Sequence, residues 1–341
     1  FRPGKAKDEN PWQAGTLEWL PNDVYSTRSI RHITSREPLW DQPDLAADVE
    51  AGRYYLPNAP TGGRETIVTS PVDAQPEYVI QMPGPGWAPF LAAVFTAGFF
   101  LLLTIKAVTI AVTCGVLAVA ACLVWVWKLD PGPDRGPIDI GGGYRLPVYM
   151  SGPRSHSWWA MVVLMLVAGS LYFSYLFSYL YLWTVSPGIW AGAGSPPLPD
   201  LRWPGLSALL FLTAAGSFLG ADRLLRADGK RSRLLLPLLV LLAALALAGA
   251  VAVEVAGFWQ TGLRPAANAY GAMVYMSSLL NGQLAFAVLI MAGFTIARHV
   301  SGRLNAVRRV SFENTALLAW YTVGQALLGL LLVHGFPRLV G

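Results

Sequence analysis

The chain has 341 residues, of which 54% are hydrophobic and only 13% charged, with a formal net charge of +5. About a quarter of the residues of an ordinary soluble protein are charged, so this composition argues against a soluble globular protein and indicates a membrane protein. The sequence has no run of Lys and Arg interleaved with aromatic residues, and we therefore expect no nucleic-acid partner.

Residues 1–87 precede the first apolar run and contain many Pro, Gly, Asp and Arg residues. They show no sustained helical or strand periodicity, so the sequence predicts an extended, mostly irregular segment in water without a core of its own. Trp12, Trp19 and Trp40 are candidates to anchor this segment to a partner or to the membrane interface. Because the first residue is Phe and no cleavable signal sequence is present, we expect the numbering to begin inside a longer polypeptide.

Seven apolar runs come after this segment, with lengths suited to helices that cross a hydrocarbon core about 30 Å thick. Only Lys106 separates the first two runs, which predicts a tight helical hairpin, and a loop rich in Pro and Gly at 128–157 sets this pair apart from the other five. The expected fold is an all-α integral membrane protein with seven transmembrane helices in a 2 + 5 arrangement. The predicted spans are Pro89–Ile105, Ala107–Trp127, Trp158–Ser186, Gly205–Ala221, Leu234–Trp259, Gly271–Ala297 and Ala316–Phe336.

The two cysteines, Cys114 and Cys122, both lie in the second predicted span. Eight residues apart on one helix, they are separated by roughly 12 Å and cannot form a disulfide with each other. The sequence offers no CxxC or similar ligand spacing. We interpret both cysteines as small hydrophobic residues.

Lys and Arg are distributed unequally between the segments that flank the predicted spans. The N-terminal segment and the loops at 128–157, 222–233 and 298–315 together hold 21 of the 25 basic residues. Basic residues concentrate on the cytoplasmic side of membrane proteins, so this distribution predicts a cytoplasmic N-terminus and an outside C-terminus. The same topology accounts for the net positive charge without an acidic partner.

Two patterns of small residues predict surfaces where helices pack together. Ser170, Ser174 and Ser178 recur every fourth residue in the third span and form one narrow stripe. Gly216 and Gly220 form a GxxxG motif in the fourth span. Because membrane helices approach closely where side chains are small, we expect neighbouring helices to dock on both surfaces.

Glu254 is the only carboxylate inside a predicted span, and an intramembrane carboxylate is by default a candidate functional residue. It either carries a proton or joins two helices through hydrogen bonds, and the second interpretation is the simpler one. Asn281 with Ser277 one turn before it, Gln283 and Gln325 complete a candidate intramembrane polar network. Hydrogen bonding between helices is the simplest role for these four residues.

The four histidines do not predict a haem or copper site. His32, His156 and His299 fall in loops and His334 lies near the outer end of the last span, each without a His or Cys three or four residues later. A haem or copper site inside a helix bundle needs several imidazoles directed inward. The GxSxG, HExxH and P-loop patterns are also absent, so we predict no catalytic residue, metal ligand or cofactor site on this chain.

The stretch Asn10–Trp19 contains Asn-Pro-Trp followed shortly by Thr-Leu-Glu-Trp. It resembles the cytoplasmic tail after the last helix of subunit I in haem-copper cytochrome c oxidases. Residues Ser35–Asp41 resemble the end of such tails, so the likeness covers about residues 8–41. The membrane region of the chain is similar in plan to subunit III of the same enzymes, which has an early helical hairpin, a bundle of five helices and an outside C-terminus.

Within the membrane region few residues carry the resemblance. Glu254 corresponds to a Glu in the family's fifth helix, and Asn281-Gly282 stands where the family often has His-Gly. Trp320-Tyr321 matches a Trp-Tyr in the seventh helix, where Thr322-Val323 replaces the usual Trp-His. The third-helix Glu that the family uses for lipid contact and proton supply is replaced by Ser170 or Leu171, which argues against a proton-supply role.

The resemblance implies a subunit I-like tail at 1–45, a cytoplasmic linker at 46–87 and a subunit III-like domain at 88–341. The chain is then the C-terminal part of a fused subunit I and III polypeptide in a proton-pumping terminal oxidase of a bacterial inner membrane. Haem and copper belong to other parts of that complex, cytochrome c supplies its electrons, and this segment contacts subunit I, subunit II and membrane lipids.

Two other classes remain open. One is a stand-alone seven-helix transporter or proton channel that uses Glu254, and the other is a membrane assembly factor without an active site. A retinal photoreceptor is excluded, because the last span lacks the Lys that a retinal Schiff base requires.

Overall fold

The computed structural model describes residues 10–20, 30, 33–54, 56, 64–82, 86–129, 136–140, 143–190, 197–227 and 232–340. The chain divides into two compact units, Phe1–Tyr149 and Met150–Gly341. Seven helices among the described residues are long and apolar enough to cross a membrane. Two of them belong to the first unit and five to the second, so the predicted seven-helix, all-α membrane fold is confirmed.

The part of the first unit that precedes its membrane helices contains small folded elements. Helices α1 (Pro38–Asp41) and α2 (Leu45–Glu50) are short, and strand β1 (Arg64–Thr69) pairs antiparallel with β2 (Pro76–Met82). Leu20 is buried with Leu45 and Val49 of α2 in a small apolar cluster. The expectation of an irregular segment without a core was therefore wrong for these residues.

A second small cluster joins the strands to the chain beyond the membrane hairpin. Strand β3 (Ile138–Asp139) pairs with β4 (Arg145–Leu146), and the backbone N–H of Val79 in β2 donates to the carbonyl of Pro147 at 3.0 Å. Val79 is fully buried beside Leu146. The segments before and after the hairpin thus meet at one end of it, as two crossings of a membrane require.

The hairpin itself consists of α3 (Trp87–Thr104) and α4 (Val108–Leu129). Lys106 turns the chain with a left-handed backbone (φ 63°), and its N–H bonds the carbonyl of Leu103 at 3.0 Å. The helices pack through small residues, since a Cβ on Gly98 would lie 3.2 Å from the sulfur of Cys114. Both cysteines are free thiols.

The second unit is a bundle of five long helices. They are α5 (His156–Val185), α6 (Arg202–Ala227), α7 (Ser232–Gln260), α8 (Ala269–Val300) and α9 (Val310–Leu330). A π-helical turn, Leu331–Gly335, and the short helix α10 (Phe336–Val340) come after α9. Helices α6 and α7 pack along each other, with the Ser207 hydroxyl donating to the carbonyl of Ala250 at 2.9 Å.

Polar contacts close each end of this bundle. At one end the Glu313 carboxylate accepts the N–H of Gly152 at 2.6 Å and pairs with Arg309 at 2.7 Å. At the other end Arg338 of α10 donates to the carbonyls of His334 and Pro199. We call this second end, where α5 and α7 end and α8 begins, the α10 end.

Candidate functional site

A cluster of buried polar side chains lies inside the five-helix bundle. Helix α7 contributes Glu254, which is 2% exposed, and α8 contributes Ser277, Ser278 and Asn281. Helix α9 contributes Gln325. The structure therefore buries four of the five residues of the predicted network, together with Ser278, inside one bundle.

The start of α8 positions three of these side chains. Asn268 caps the helix by accepting the N–H of Gly271 at 2.7 Å, a contact that stabilises a helix by about 1 kcal/mol. A Cβ on Gly271 would collide with the carbonyl of Arg264, so only glycine fits this first turn. From this start, Ser277 and Asn281 share one face of α8 because they are four residues apart.

A chain of hydrogen bonds links α8 to α9. The Gln325 amide donates to the Asn281 carbonyl oxygen at 3.0 Å, and the Tyr321 hydroxyl donates to the Gln325 carbonyl oxygen at 2.9 Å. The Tyr321 oxygen would lie 3.4 Å from a Cβ on Gly169, so α5 approaches the same network. Tyr321 was not among the predicted network residues, although the seventh-helix Trp-Tyr pair of the resemblance pointed to it.

Gly329 is the point of α9 where polar groups from two other helices converge. A Cβ at this position would lie 2.6 Å from the Tyr172 hydroxyl, 2.8 Å from the Ser277 hydroxyl and 3.4 Å from the Asn281 amide nitrogen. Glycine lets these side chains of α5 and α8 reach the α9 backbone. A single glycine in an apolar run carries no periodic signal, so the sequence did not single it out.

A row of tyrosines extends from this point toward the α10 end. On α5, the ring centroids of Tyr172 and Tyr175 are 5.4 Å apart, and those of Tyr175 and Tyr179 are 6.2 Å apart. Tyr270 at the start of α8 lies 6.3 Å from Tyr179, and Trp190 packs against both rings. All four tyrosines are buried.

Many of these buried polar atoms have no hydrogen-bond partner within the described protein. They include both carboxyl oxygens of Glu254 and the hydroxyls of Ser277, Ser278, Tyr172, Tyr175, Tyr179 and Tyr270. Ser278 is the hydroxyl that lies beside the Glu254 carboxyl. An unpaired buried group costs about 1–3 kcal/mol, and native proteins pair most of them, so this concentration marks a candidate functional site.

His334 lies at the level of Phe258, closer to the α10 end than Glu254. Its ring stacks on Phe258 with 5.4 Å between centroids and 9° between planes, and neither ring nitrogen has a hydrogen-bond partner in the described protein. It sits in the π-helical turn, a rare conformation that is frequent at functional sites. Phe258 is one turn beyond Glu254 on α7. Sequence reasoning missed His334 as a site residue, although a buried ionisable side chain in an apolar helix is a signal for one.

Gln283 does not belong to the site, because its side chain is exposed on the outer face of α8. No helix of the described chain docks on the predicted serine stripe. Ser170, Ser174 and Ser178 are exposed, and each hydroxyl donates to a carbonyl of its own helix at 2.8–3.0 Å. The neighbouring tyrosines of α5 face the bundle instead, because their large rings fill the space between helices.

The two glycines of the GxxxG motif differ in their surroundings. A Cβ on Gly220 would lie 3.3 Å from a methyl carbon of Leu239, so this glycine does receive α7. Gly216 is exposed, with no neighbouring side chain of the described chain within 4 Å of its Cβ position. One docking position, not two, lies on this part of α6.

The described histidines lie apart from one another. No three His, Cys, Asp or Glu side chains are grouped in the described part of the chain. His156 opens α5 and His299 lies at the last turn of α8, whereas His334 lies at the α10 end. His32 falls outside the described residues.

Comparison with known protein families and with curated proteins finds no match to this chain. One carboxyl, several hydroxyls, two amides and an imidazole can hold and relay protons or bind water.

Proposed function

We propose that this chain is the subunit I tail and subunit III-like portion of a proton-pumping cytochrome c oxidase. In that role it stabilises the catalytic region, and the redox centres lie elsewhere in the complex. The observation that carries the proposal is the division of the seven helices into a hairpin of two and a bundle of five. This division matches the plan of the family that the sequence resembles.

The two segments that carry the tail resemblance also pack together. The backbone N–H of Leu39 donates to the carbonyl of Gly15 at 2.9 Å, and the Trp40 indole donates to the carbonyl of Gln13 at 2.8 Å. The side chain of Asn10 bonds the backbone of Ala14 in both directions at 2.9 Å. Two parts of one tail are expected to pack together, which supports the proposal. Within the stretch 8–41 that carries the likeness, residues 8–9, 21–29 and 31–32 lie outside the described range.

A transporter or channel would need a polar route through the whole bundle. Between the polar cluster and the end opposite α10, the described core is mainly apolar, and it includes Phe211, Phe218, Leu236, Leu247 and Val288. The hydroxyls of Thr295 and Thr315 in that region are already used, since they bond each other at 3.1 Å. The bundle therefore favours a structural subunit over a channel.

The proposed complex lies in a bacterial inner membrane with the N-terminus of this chain in the cytoplasm. The excess of Lys and Arg in the N-terminal segment and in the loops on its side supports this orientation. Its partners are the subunit I region, subunit II and membrane lipids, and cytochrome c is the electron donor of the complex.

A reduced-minus-oxidised optical spectrum tests the proposal. The protein is purified from its native membranes through a tag placed after Gly341, and its polypeptide mass is measured in the same sample. Haem bands in stoichiometric amount are the expected result. A colourless seven-helix protein without associated subunits would overturn the oxidase assignment.

A further inference from the structure

The buried hydroxyls that lack a hydrogen-bond partner among the described residues lie toward one end of the bundle. Buried tyrosines, Trp190 and His334 lie toward the α10 end, in a cluster separate from the larger core, whose buried hydrophobic residues are aliphatic residues and phenylalanines. Glu254 lies on the boundary, six residues before the end of α7, or roughly 9 Å below it. Buried polar groups therefore continue from the Glu254 carboxyl to the α10 end, but not to the opposite end of the bundle.

We propose that Glu254 is a proton-exchange site that communicates with water at the α10 end alone. The geometry that points to it is a buried carboxyl whose recorded polar neighbour is the Ser278 hydroxyl, at the inner end of a row of buried hydroxyls. The inference does not depend on the oxidase assignment, because it uses only contacts within the five-helix unit. It assigns this bundle a buried, exchangeable proton in addition to a structural role.

Burial determines the resting form of the carboxyl. A carboxylate without a counter-charge is very costly in an apolar interior, so Glu254 holds its proton and is neutral at rest. The groups recorded near it support this form, because they are neutral hydroxyls. They are Ser278 of α8 and, on α5, Tyr172 and Tyr175.

Helix α6 packs along α7 but contributes no described charge at this level. Its charged residues lie at its two ends, Arg202 at the start and Asp222, Arg223 and Arg226 in the last turns. Asp222 and Arg226 pair with each other at 2.7 Å. No described charge on α6 therefore competes with water for the Glu254 proton.

The route outward runs along the tyrosines. Ser277 lies beside the hydroxyls of Tyr172 and Tyr175, and Tyr179 carries the row to Tyr270. Hydroxyls both donate and accept, and water molecules bridge such groups where they are too far apart for a direct bond. Tyr270 is in the first turn of α8, at the level of the loops that face water.

The proton exchange leaves the number of O–H bonds and the number of electrons on each group unchanged. Glu254 releases the proton on one carboxyl oxygen as it accepts a proton on the other, so the carboxyl stays neutral. Each hydroxyl along the row breaks one O–H bond as it forms another, and water at the α10 end supplies and removes the protons. Nothing is oxidised or reduced.

Infrared spectroscopy of the full chain, purified from its native membranes with its associated subunits, tests the inference. The carbonyl stretch of a neutral carboxylic acid is identified as the band that is lost in Glu254→Gln, which keeps the size of the side chain. We expect this band to be present and to shift when the folded protein is moved from H₂O to D₂O. A missing band, or a band that does not shift while the helices stay intact, would refute the assignment of Glu254 as a proton-exchange site.

The route is tested with two matched variants on α5. Tyr179→Phe removes one buried hydroxyl of the row, whereas Tyr181→Phe removes a hydroxyl from a side chain that is 57% exposed. We expect Tyr179→Phe to slow the deuterium shift of the Glu254 band by roughly tenfold or more, since the transfer loses about one hydrogen bond of stabilisation. Tyr181→Phe should leave the rate unchanged, and equal rates in the two variants would refute the tyrosine route.

A sodium titration distinguishes a site that holds a proton from a site that binds a metal cation. A carboxylate with several hydroxyl oxygens is also a plausible ligand set for Na⁺. A proton site keeps its neutral-acid band at every Na⁺ concentration. Conversion of the band to that of a carboxylate by Na⁺, at constant pH, would assign a cation site and overturn the proton assignment.

Discussion

Replacing Gly329 by alanine probes the point where α5, α8 and α9 meet. The added Cβ would lie 2.6 Å from the Tyr172 hydroxyl and 2.8 Å from the Ser277 hydroxyl, well inside ordinary contact distance. The α9 backbone cannot retreat without losing its hydrogen bonds, and the Tyr172 ring is held by Tyr175. Overpacking of a tight interior costs about 1–3 kcal/mol, against which alanine recovers roughly 0.5–1 kcal/mol of helix propensity.

The expected loss is therefore about 1–2 kcal/mol of unfolding free energy, because the steric cost exceeds the gain in propensity. For a folded unit of this size, a loss of 1 kcal/mol in unfolding free energy lowers the midpoint of thermal unfolding by roughly 2–4 °C. The midpoint of Gly329→Ala should therefore fall by about 2–8 °C. Circular dichroism of the detergent-solubilised protein at one fixed scan rate measures the change, since unfolding of such proteins is often irreversible.

Gly324→Ala on the same helix is the control. Gly324 is exposed and nothing in the described chain lies within 4 Å of its Cβ position, so alanine should leave the midpoint unchanged or raise it slightly. The reasoning is refuted if Gly329→Ala is as stable as Gly324→Ala, because the three polar groups would then not be held against the α9 backbone.

Two further predictions concern buried polar contacts, each with an exposed counterpart. Gln325→Leu should lower the unfolding free energy by about 1–2 kcal/mol, because it leaves the Asn281 oxygen unpaired, whereas Gln283→Leu on the exposed face should be nearly neutral in the same melting assay. Glu313→Gln keeps an acceptor for its backbone partner but removes a partly buried ion pair, and we expect a loss of about 1–2 kcal/mol. Asp200→Asn, in a pair that is more than 70% exposed, should change stability by less than about 0.5 kcal/mol; equal effects of the two acidic substitutions would contradict the assigned role of Glu313.

The number and position of the membrane helices could be predicted from the sequence because lipid offers no hydrogen bonds to the backbone. An apolar run of about 20 residues must then pair its own N–H and C=O groups, and a helix does so within the segment. The hairpin at Lys106 and the separation of two helices from five are direct consequences of where the apolar runs stop. Glu254 could be singled out as a candidate residue because it is the only carboxylate in a predicted span.

The inward face of each helix could not be predicted in the same way. The period of α5 shows that Ser170, Ser174 and Ser178 share one face and that Tyr172, Tyr175 and Tyr179 lie on another. It does not show which face meets protein, because in lipid both surroundings are apolar. We chose the serines because small side chains favour close approach, and the tyrosines proved to be the packed residues.

The strand pairs before α3 and after α4 were missed for a different reason. Residues of β1 find partners in β2 across a turn, and β3 and β4 are only two residues long, too short for any alternation to show. Their stability comes from the shared burial of Val79 and Leu146, which are 67 positions apart in the sequence. Pairing at that distance is a property of the folded chain.

The sequence by itself determined how many membrane helices the described chain has, which stretch of the chain each one occupies, and that one of them carries a carboxyl, Glu254. Those properties depend on local composition, since the membrane acts on each segment separately. Only the tertiary structure decided that Glu254, the tyrosines of α5, His334 and Gly329 belong to one site. Their meeting depends on the rotation of each helix about its own axis, and contacts between helices set that rotation.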